Sequence, residues 1–461
     1  MKTIDRKAWI LIAIGTGSFM SALDASVVNT VLPIVREAFK SNVATIQWVI
    51  IIYLLVLSGL LLTFGRLGDL RGHKSVYVWG FVIFVAGSAL CGAAWSPAAL
   101  ICFRGLQGVG AAVLAANASA IVSRNIPAHE RGRAFGMVSM LTYLGLTVGP
   151  SLGGWLAHAY SWRVIFYMNV PVGAVALALG WVFIPKDTSN ATGKKFDIPG
   201  AVSFITGLTG FMLALNKGAE WGWSSPAILV LLVVSVALLV AFIQIERRSP
   251  APMLDLTLFR VPLFSMSVIS SILNYVCVYG VIFLMPFYLI QGRGMNSAEA
   301  GLLLTLEPIL MAITAPISGA LSDRIGSRLP GMLGMGVLGV GLFLLSRLGP
   351  NSPLWLVGLD LAIAGLGTGA FISPNTSALM GAAPRSQQGV ASGVQGTARN
   401  LGMVLGIGLA GAVLTTNLAL NTPDALFNGV SQGFLIAAGV AVLGIVSSAI
   451  KEDTKTPTIE K

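Results

Sequence analysis

Fourteen long apolar runs dominate this sequence of 461 residues. Each run is about as long as the roughly 20 residues that an α-helix needs to cross the hydrocarbon core of a bilayer. Apolar residues make up 55% of the chain and charged residues only 10%, whereas soluble domains carry about 25% charged residues. The sequence therefore predicts an all-α polytopic membrane protein with fourteen transmembrane helices, and it excludes a soluble globular domain.

The residues outside these runs argue against catalytic chemistry. Fourteen spans of about 20 residues leave only short loops, so any function lies within or across the membrane. The three cysteines and three histidines are scattered, which predicts neither a metal site nor a disulfide framework. No phosphate-binding glycine loop is present, and we expect no enzymatic activity and no cofactor. The first apolar run continues past Asp24 to Pro33, so we expect a retained first helix rather than a cleaved leader.

The basic residues predict the orientation of the chain. The net charge is +11, and most lysines and arginines fall in the tails and in alternate loops that would share one side. This asymmetry follows the positive-inside rule, so we expect a cell-membrane protein with both termini in the cytoplasm. Membrane topology then accounts for the charge, and we expect no nucleic-acid partner.

One decapeptide occurs twice in the sequence. It reads GRLGDLRGHK at 65–74 and GALSDRIGSR at 319–328, after predicted helices 2 and 10. Structural repeats of this kind are typical of secondary transporters. The sequence therefore predicts an N-terminal six-helix bundle at 1–186, two extra helices with linkers at 187–262, a C-terminal six-helix bundle at 263–450 and a cytoplasmic tail at 451–461.

Each copy of the decapeptide carries an acid at the cytoplasmic end of its helix, Asp69 in the first and Asp323 in the second. A carboxylate there can cap the N-terminus of a facing helix from the other half and pair with a basic loop residue. Because the acid occurs twice, we favour a latch on the inner side over a solvated turn.

Five ionisable side chains interrupt the apolar runs: Asp24, Arg104, Glu307, Asp360 and Arg399. Each costs about 2.5–3.5 kcal/mol at the centre of a membrane helix, so each needs a function or a partner. If two acids pair with the two arginines, one carboxylate remains. We interpret Asp24 and Glu307 as acids that exchange protons against cargo, and the arginines as their organisers, because guanidinium does not release its proton. Static interhelical ion pairs are the alternative, above all for Asp360 near the outer end of helix 12.

Glycine and proline mark predicted helices 5 and 10. Helix 5 contains GLTVGPSLGG at 145–154, whose proline removes one backbone hydrogen bond and whose glycines permit close helix packing. In helix 10, Glu307 is followed by Pro308 and Pro316, so we expect a bend beside the carboxylate.

Aromatic residues at helical spacing mostly pack in cores, yet seven polar or aromatic side chains are candidates for a substrate cavity. They are Asn29, Tyr53, Asn117, Tyr143, Asn274, Tyr275 and Tyr279.

Five motifs in order resemble those of the major facilitator superfamily, and within it the fourteen-helix drug:proton antiporter family. They are the loop pattern at Gly65, Leu67, Asp69, Gly72 and Lys74 with its weaker copy at Gly319, Asp323 and Arg324, the helix 1 pattern from Leu23 to Pro33, the helix 4 pattern from Arg104 to Gly110, and the helix 5 pattern at Gly145, Gly149, Pro150, Gly153 and Gly154. Each motif is loose alone, but five in order across essentially the whole chain are specific.

The resemblance implies export driven by inward proton flow, with Asp24 and Arg104 as a coupling pair. It also implies that the repeated loops gate the cytoplasmic side and that the helix 5 motif marks an antiporter rather than a symporter. The sequence departs from the family pattern at Leu70 and His73, where basic residues are usual, so we expect a weaker or pH-sensitive first latch. Glu307 stands where many relatives are apolar or small, which favours cationic cargo or a second proton site.

We therefore expect a proton-coupled antiporter that exports amphipathic, cationic compounds by alternating access. Its expected partners are the lipid bilayer, protons and an amphipathic small molecule, and we expect a monomer. One alternative is an exporter or flippase of an endogenous lipid or metabolite without proton coupling. Another is a sensor with transporter ancestry.

Overall fold

Helices form all the regular structure of the described chain, and fourteen of the helical stretches are long and apolar enough to cross a membrane. The structure is a computed structural model, and it describes residues 3–186, 196–222, 224–420, 422 and 424–450. The predicted fold class and number of spans are confirmed. The predicted tail at 451–461 and most of the linker before the seventh helix lie outside the described residues.

The fourteen spans are numbered α1 to α14 in chain order. Their bounds are α1 Thr3–Ala38, α2 Val43–Arg71, α3 His73–Gly92, α4 Pro97–Asn125, α5 Arg131–Ala159, α6 Val164–Phe183, α7 Ile198–Trp221, α8 Pro226–Arg248, α9 Pro262–Pro286 with a π-helical end at Phe287–Gly292, α10 Ser297–Leu304 and Leu306–Ile325, α11 Arg328–Leu345, α12 Leu354–Ala382, α13 Gln388–Leu418, and α14 Ala425–Ala449. Three short 3₁₀ turns, at Ala128–Glu130, Leu256–Arg260 and Arg385–Gln387, connect some of them.

Helix α10 is interrupted at Thr305, next to the carboxylate of Glu307. Pro308 has no N–H to donate to the carbonyl four residues earlier, so the backbone restarts as a second helical segment at Leu306. Pro316, in contrast, lies inside the continuous second segment. The sequence predicts a bend beside this carboxylate, and the structure shows an interruption of the helix there, which places Glu307 in the first turn of the second segment.

The repeated decapeptides adopt the same local structure. Gly72 separates α2 from α3 with φ 92°, and Gly326 follows α10 with φ 87°. These dihedrals lie in the region that favours glycine, because other residues carry a Cβ that clashes there. The backbone amides of both glycines donate back to the preceding helix, to the carbonyls of Gly68 and Ser322.

The described residues divide into two compact units. The first, here the N-unit, comprises the described residues within Met1–Pro127, Met137–Leu256 and Ala383–Thr397, and the second, here the C-unit, comprises those within Ala128–Gly136, Thr257–Ala382 and Ala398–Lys461. Packing therefore groups α7 and α8 with the N-unit, whereas the sequence treats them as a separate segment. Each unit also takes in the first turns of a helix from the other half of the chain, the start of α13 in the N-unit and the start of α5 in the C-unit.

Glycines bring neighbouring backbones close together where the buried polar groups lie. A Cβ on Gly87 of α3 would sit 2.8 Å from the Cα of Gln107 on α4, and a Cβ on Gly110 would sit 2.6 Å from the Cα of Phe84. In the C-unit, a Cβ on Gly341 of α11 would come within 2.7 Å of the backbone nitrogen of Ala364 on α12. Small residues thus let these membrane helices approach more closely than side chains would allow.

Candidate transport site

A buried ion pair joins α1 and α4 in the N-unit. The Nη1 of Arg104 donates to the Oδ2 of Asp24 at 2.7 Å, and each side chain is only 1% exposed. The guanidinium also donates through Nε to the carbonyl of Val49 at 3.2 Å. Its central carbon lies 4.1 Å from the ring centroid of Tyr53, a cation–π distance. Because a guanidinium does not release its proton, the pair keeps a positive charge beside Asp24.

Two amides complete the surroundings of the carboxylate. The Nε2 of Gln107 donates to Asp24 Oδ1 at 3.0 Å, and the Nδ2 of Asn169 donates to the same oxygen at 2.7 Å. The Oε1 of Gln107 accepts from Arg104 Nη1 at 2.6 Å. Asp24 thus receives three hydrogen bonds, and each donor is itself buried. The arrangement is complementary to a carboxylate that carries a charge.

Asn169 was not among the residues singled out from the sequence. It begins the second segment of α6, after an interruption at Met168, and it is 1% exposed. Its only sequence signal is an amide side chain within an apolar run. That signal is weak because asparagine does not reveal its partner, and the residues it joins lie more than 80 positions away in the chain.

The glycine stripe of α5 lies against the stretch of α1 that carries Asp24. A Cβ on Gly145 would come within 2.6 Å of the carbonyl oxygen of Phe19, and one on Gly149 within 2.6 Å of the Cβ of Ser26. Gly153 faces Val27 in the same way, whereas Gly154 faces open space. Four of the five motif positions, Gly145, Gly149, Pro150 and Gly153, therefore have a structural reason connected with α1.

Pro150 is the motif position connected with α1 through a hydrogen bond rather than through close packing. Pro150 cannot donate to the carbonyl of Leu146 four residues earlier. The Oγ of Ser26 donates to that carbonyl at 2.9 Å instead. Helix α5 thus gives up a backbone hydrogen bond, and α1 replaces it two residues beyond Asp24.

The C-unit contains two buried carboxylates, Glu307 on α10 and Asp360 on α12. Glu307 is 4% exposed and Asp360 is 1% exposed, and one oxygen of each is buried with no hydrogen-bond partner. Among the described residues, neither forms an ion pair with Arg399. The sequence-based pairing of two acids with two arginines is thus not observed: of the five ionisable residues predicted inside the spans, only Asp24 and Arg104 form an ion pair in the described chain, and two carboxylates are left.

Two tyrosines of α9 lie within electrostatic range of Arg399, and one of them is also within range of Glu307. The phenol of Tyr279 on α9 interacts electrostatically with both Glu307 and Arg399, and the phenol of Tyr275 interacts with Arg399. One turn along α13 from Arg399, a Cβ on Gly402 would come within 2.8 Å of the Cβ of Tyr275. Glu307, the two tyrosines and Arg399 therefore lie in the same region of the C-unit.

Both loop acids cap the N-terminus of a helix from the other half of the chain. Asp69 accepts from the backbone amides of Gly389 and Val390 at the start of α13, both at 2.9 Å. Asp323 accepts from the amides of Gly132 and Arg133 at the start of α5, at 2.7 and 2.9 Å. These are the capping contacts that the repeat predicts. Carboxylates at helix N-termini are favourable because they meet unpaired amides and the positive end of the helix dipole.

The first of these caps contains a buried histidine. The Nε2 of His73 lies 3.2 Å from Asp69 Oδ1, and its Nδ1 lies 2.8 Å from the Oδ1 of Asn117. Asn117 donates through Nδ2 to the carbonyls of Phe64 and Val113, which orients its oxygen toward the ring. Both ring nitrogens therefore lie close to side-chain oxygens. The second cap has Ser327 at the equivalent position.

A model of the Major Facilitator Superfamily matches residues 14–407, and a second match covers residues 267–460. The chain belongs to the major facilitator superfamily. The resemblance drawn from the five motifs is thus confirmed at the level of the superfamily, and the protein is a multi-pass membrane transporter of this fold.

Several relatives of this major facilitator protein have names that state a cargo. It is 34% identical over 450 residues to the riboflavin transporter RibZ of Clostridioides difficile, a match that covers 96% of the chain and 97% of the relative. It is 35% identical over 411 residues to the multidrug resistance protein Stp of Mycobacterium tuberculosis, covering 89% and 76%. It is 30% identical over 415 residues to the tetracenomycin C resistance and export protein of Streptomyces glaucescens, covering 90% and 77%.

Solved structures show the same fold at low identity. The human organic anion transporter MFSD10 has a TM-score of 0.68 at 16% identity, covering 96% of this chain and 99% of that one. The proton:xylose symporter XylE, bound to 6-bromo-6-deoxy-D-glucose, has a TM-score of 0.69 at 14% identity, covering 96% and 95%. At such identities the likeness concerns the fold alone.

The other residues that the sequence singles out occupy varied places in this transporter. Asn29 on α1 is exposed, Tyr143 on α5 is buried, and Asn274 on α9 is fully buried with its Nδ2 3.5 Å from the Sδ of Met335. Arg324 is exposed beside Asp323. Tyr53 contacts Arg104, and Asn117 contacts His73.

Proposed function

We propose that this major facilitator protein is a proton-coupled exporter of amphipathic organic cations that works by alternating access. Proton coupling rests on one observation, the buried carboxylate of Asp24 paired with Arg104 and held by two amides. A group that loads and releases a proton during transport needs a buried position, a charged partner and access that changes with conformation. Asp24 has the first two in the described residues.

The cargo class rests on Glu307. This carboxylate is buried without an ion-pair partner in the described chain, and Tyr279 lies within electrostatic reach of it. A bound organic cation would supply the missing positive charge, and the tyrosine rings would supply flat apolar surface and cation–π attraction. One relative is named for multidrug resistance and another for tetracenomycin C resistance and export, which supports export of organic compounds.

The name of another relative favours a second candidate. The riboflavin transporter RibZ matches nearly the whole of this chain, so a neutral planar metabolite such as a flavin is the alternative cargo. Stacking on tyrosine rings would suit either cargo. A flippase for lipids without proton coupling is a third possibility, in which the buried charges form a track for head groups.

We further propose that the protein lies in the cytoplasmic membrane with both termini in the cytoplasm, as the distribution of basic residues favours. Asp69 and Asp323 would then lie on the cytoplasmic side. The proposed partners are the lipid bilayer, protons and one small molecule, with no nucleic acid and no second protein chain. The energy source is the proton gradient, so no cofactor is proposed.

The test uses purified protein in liposomes that contain a pH-sensitive dye. Ethidium, riboflavin, an anionic dye and a fluorescent phospholipid are added in turn, and proton movement is recorded. We expect ethidium to evoke proton flux in the wild type and none in Asp24→Asn. Proton flux evoked by riboflavin and not by ethidium would indicate that the cargo is the neutral metabolite. Scrambling of the phospholipid without any flux would identify a flippase.

Glu307→Gln tests the cargo class in the same liposomes. We expect it to reduce ethidium transport at least tenfold and to spare neutral cargo, because only the cation loses an ionic partner. Glu299→Gln, an exposed acid on the first segment of α10, is the matched control and should leave both unchanged. Equal loss for charged and neutral cargo would make Glu307 a general coupling residue and would remove the argument for cations.

A further inference from the structure

The side-chain amide of Asn169 uses its nitrogen for two hydrogen bonds near Asp24 and its oxygen for none. Its Nδ2 donates twice, to Asp24 Oδ1 at 2.7 Å and to the Oγ of Ser88 at 3.1 Å. Its Oδ1 is buried and has no hydrogen-bond partner among the described residues. A buried amide oxygen without a donor costs free energy, so the present orientation is favoured by what the nitrogen gains from the carboxylate.

The other partners of Asp24 cannot offer a free acceptor. Arg104 has only donors. Gln107 has its Oε1 engaged by Arg104 Nη1 at 2.6 Å, and turning its amide over would place the NH₂ group against the guanidinium. Only Asn169 keeps an acceptor in reserve. A protonated Asp24 carries an O–H that must donate to something if it is to stay buried.

We infer that Asn169 is a positioning residue that turns its side-chain amide over when Asp24 takes up a proton. With Asp24 ionised, Asn169 Nδ2 donates to the carboxylate. With Asp24 protonated, Asn169 Oδ1 accepts from the carboxyl O–H. The inference rests on the proposed role of Asp24 as the proton carrier, and it names the residue that senses the charge state of that carrier.

The change would pass to α3 and to the first segment of α6. Ser88 now donates to the carbonyl of Phe166 at 2.8 Å and accepts from Asn169. After the amide turns over, Ser88 faces an acceptor, so its single proton turns from Phe166 to Asn169. The carbonyl of Phe166 is then released two residues before the interruption of α6 at Met168. The proton on Asp24 would thereby alter hydrogen bonding at a break in a membrane helix.

Few other groups near Asp24 can titrate. Among the described residues, the charged and titratable groups that interact with Asp24 or with its partner Arg104 are Arg104 itself on α4, Cys91 on α3 and Tyr53 on α2. The Sγ of Cys91 lies 3.8 Å from Gln107 Oε1, and Tyr53 packs under the guanidinium. On α5, glycines pack against the helix that carries Asp24. On α6, Asn169 contacts the carboxylate itself. None of these neighbours other than Asn169 has an unengaged oxygen that could accept from Asp24.

Infrared difference spectroscopy of the protein in liposomes tests the inference directly. Lowering the pH should produce a carboxylic acid C=O band from Asp24 and, with the same midpoint, a shifted side-chain amide C=O band from Asn169. Both bands should be absent from Asp24→Asn, and the amide band should be absent from Asn169→Leu. The matched control is Asn417→Leu, a buried asparagine of the C-unit that donates to Val413 and Gln432, and it should keep both bands.

The pH profile of ethidium-evoked proton flux is the second measurement. Asn169→Leu should move the midpoint toward alkaline pH by about one unit, because the ionised form loses a charge-assisted hydrogen bond and the protonated form loses a weaker neutral one. Asn169→Ser, whose hydroxyl can donate or accept, should move it less. Asn417→Leu should not move it.

The outcomes separate this inference from the proposed function. An Asp24 band without an accompanying amide band, while ethidium still evokes proton flux, overturns the role of Asn169 and keeps proton coupling. An unchanged pH midpoint in Asn169→Leu also overturns it. Absence of flux with both bands present would reject the proposed function and keep the amide switch. Absence of flux and of the Asp24 band would reject both.

Discussion

The ion pair between Asp24 and Arg104 predicts a specific pattern of stability in a double-mutant cycle. In Asp24→Asn, one amide oxygen can still accept from Gln107 and Asn169, but its NH₂ group then faces Arg104 Nη1 where the carboxylate oxygen lay at 2.7 Å. The guanidinium stays buried and loses its only anion in the described chain. Removing one partner of a buried pair costs about 3–5 kcal/mol, because the other charge remains uncompensated.

The reverse substitution should cost less. In Arg104→Gln, Asp24 keeps two amide donors, and the carboxylate can be neutralised by a proton, whereas a guanidinium cannot release one. In the double variant neither charge is stranded, so we expect it to be more stable than Asp24→Asn alone by about 2 kcal/mol.

The assay is reversible unfolding in mixed detergent micelles, followed by tryptophan fluorescence, for the wild type, both single variants and the double variant. Glu299→Gln, which changes an exposed acid, controls for the loss of one negative charge. Additive costs, with the double variant as unstable as the sum of the singles, would refute the argument, since they would mean that neither side chain stabilises the other.

Two further predictions concern the cap and the glycine stripe. Asp69→Asn should lose about 1.5–3 kcal/mol of stabilisation at the start of α13, because an NH₂ group replaces one of the two oxygens that accept backbone amides and the anion facing His73 is lost. Hydrogen exchange of the first amides of α13 should therefore rise about tenfold or more. Unchanged exchange would show that the cap contributes nothing. Gly149→Ala should reduce folded yield and transport, because the new Cβ would lie 2.6 Å from the Cβ of Ser26, whereas Gly154→Ala should be tolerated because nothing lies within 4 Å of its Cβ position. Folded yield is measured by size-exclusion chromatography and transport by ethidium flux. Equal effects of Gly149→Ala and Gly154→Ala would mean that the motif acts through backbone flexibility rather than close packing.

Much of this molecule follows from local sequence patterns. The number of spans follows from run length, and the break beside Glu307 follows from Pro308, because a missing N–H acts within four residues. The repeated turns at Gly72 and Gly326 follow from an equally local rule on backbone dihedrals. The acids at the ends of α2 and α10 could be recognised because they occur twice at equivalent positions.

The sequence by itself thus determined the fourteen helices, the repeat and five ionisable residues within the apolar runs, since these depend on composition and short-range geometry. Only the tertiary structure decided their partners. It paired Asp24 with Arg104 and Asn169, left Glu307 and Asp360 without a cation in the described chain, and placed Asn117 beside His73. Contacts between residues distant in the chain depend on how helices pack and rotate, and for that packing an apolar run provides no local signal.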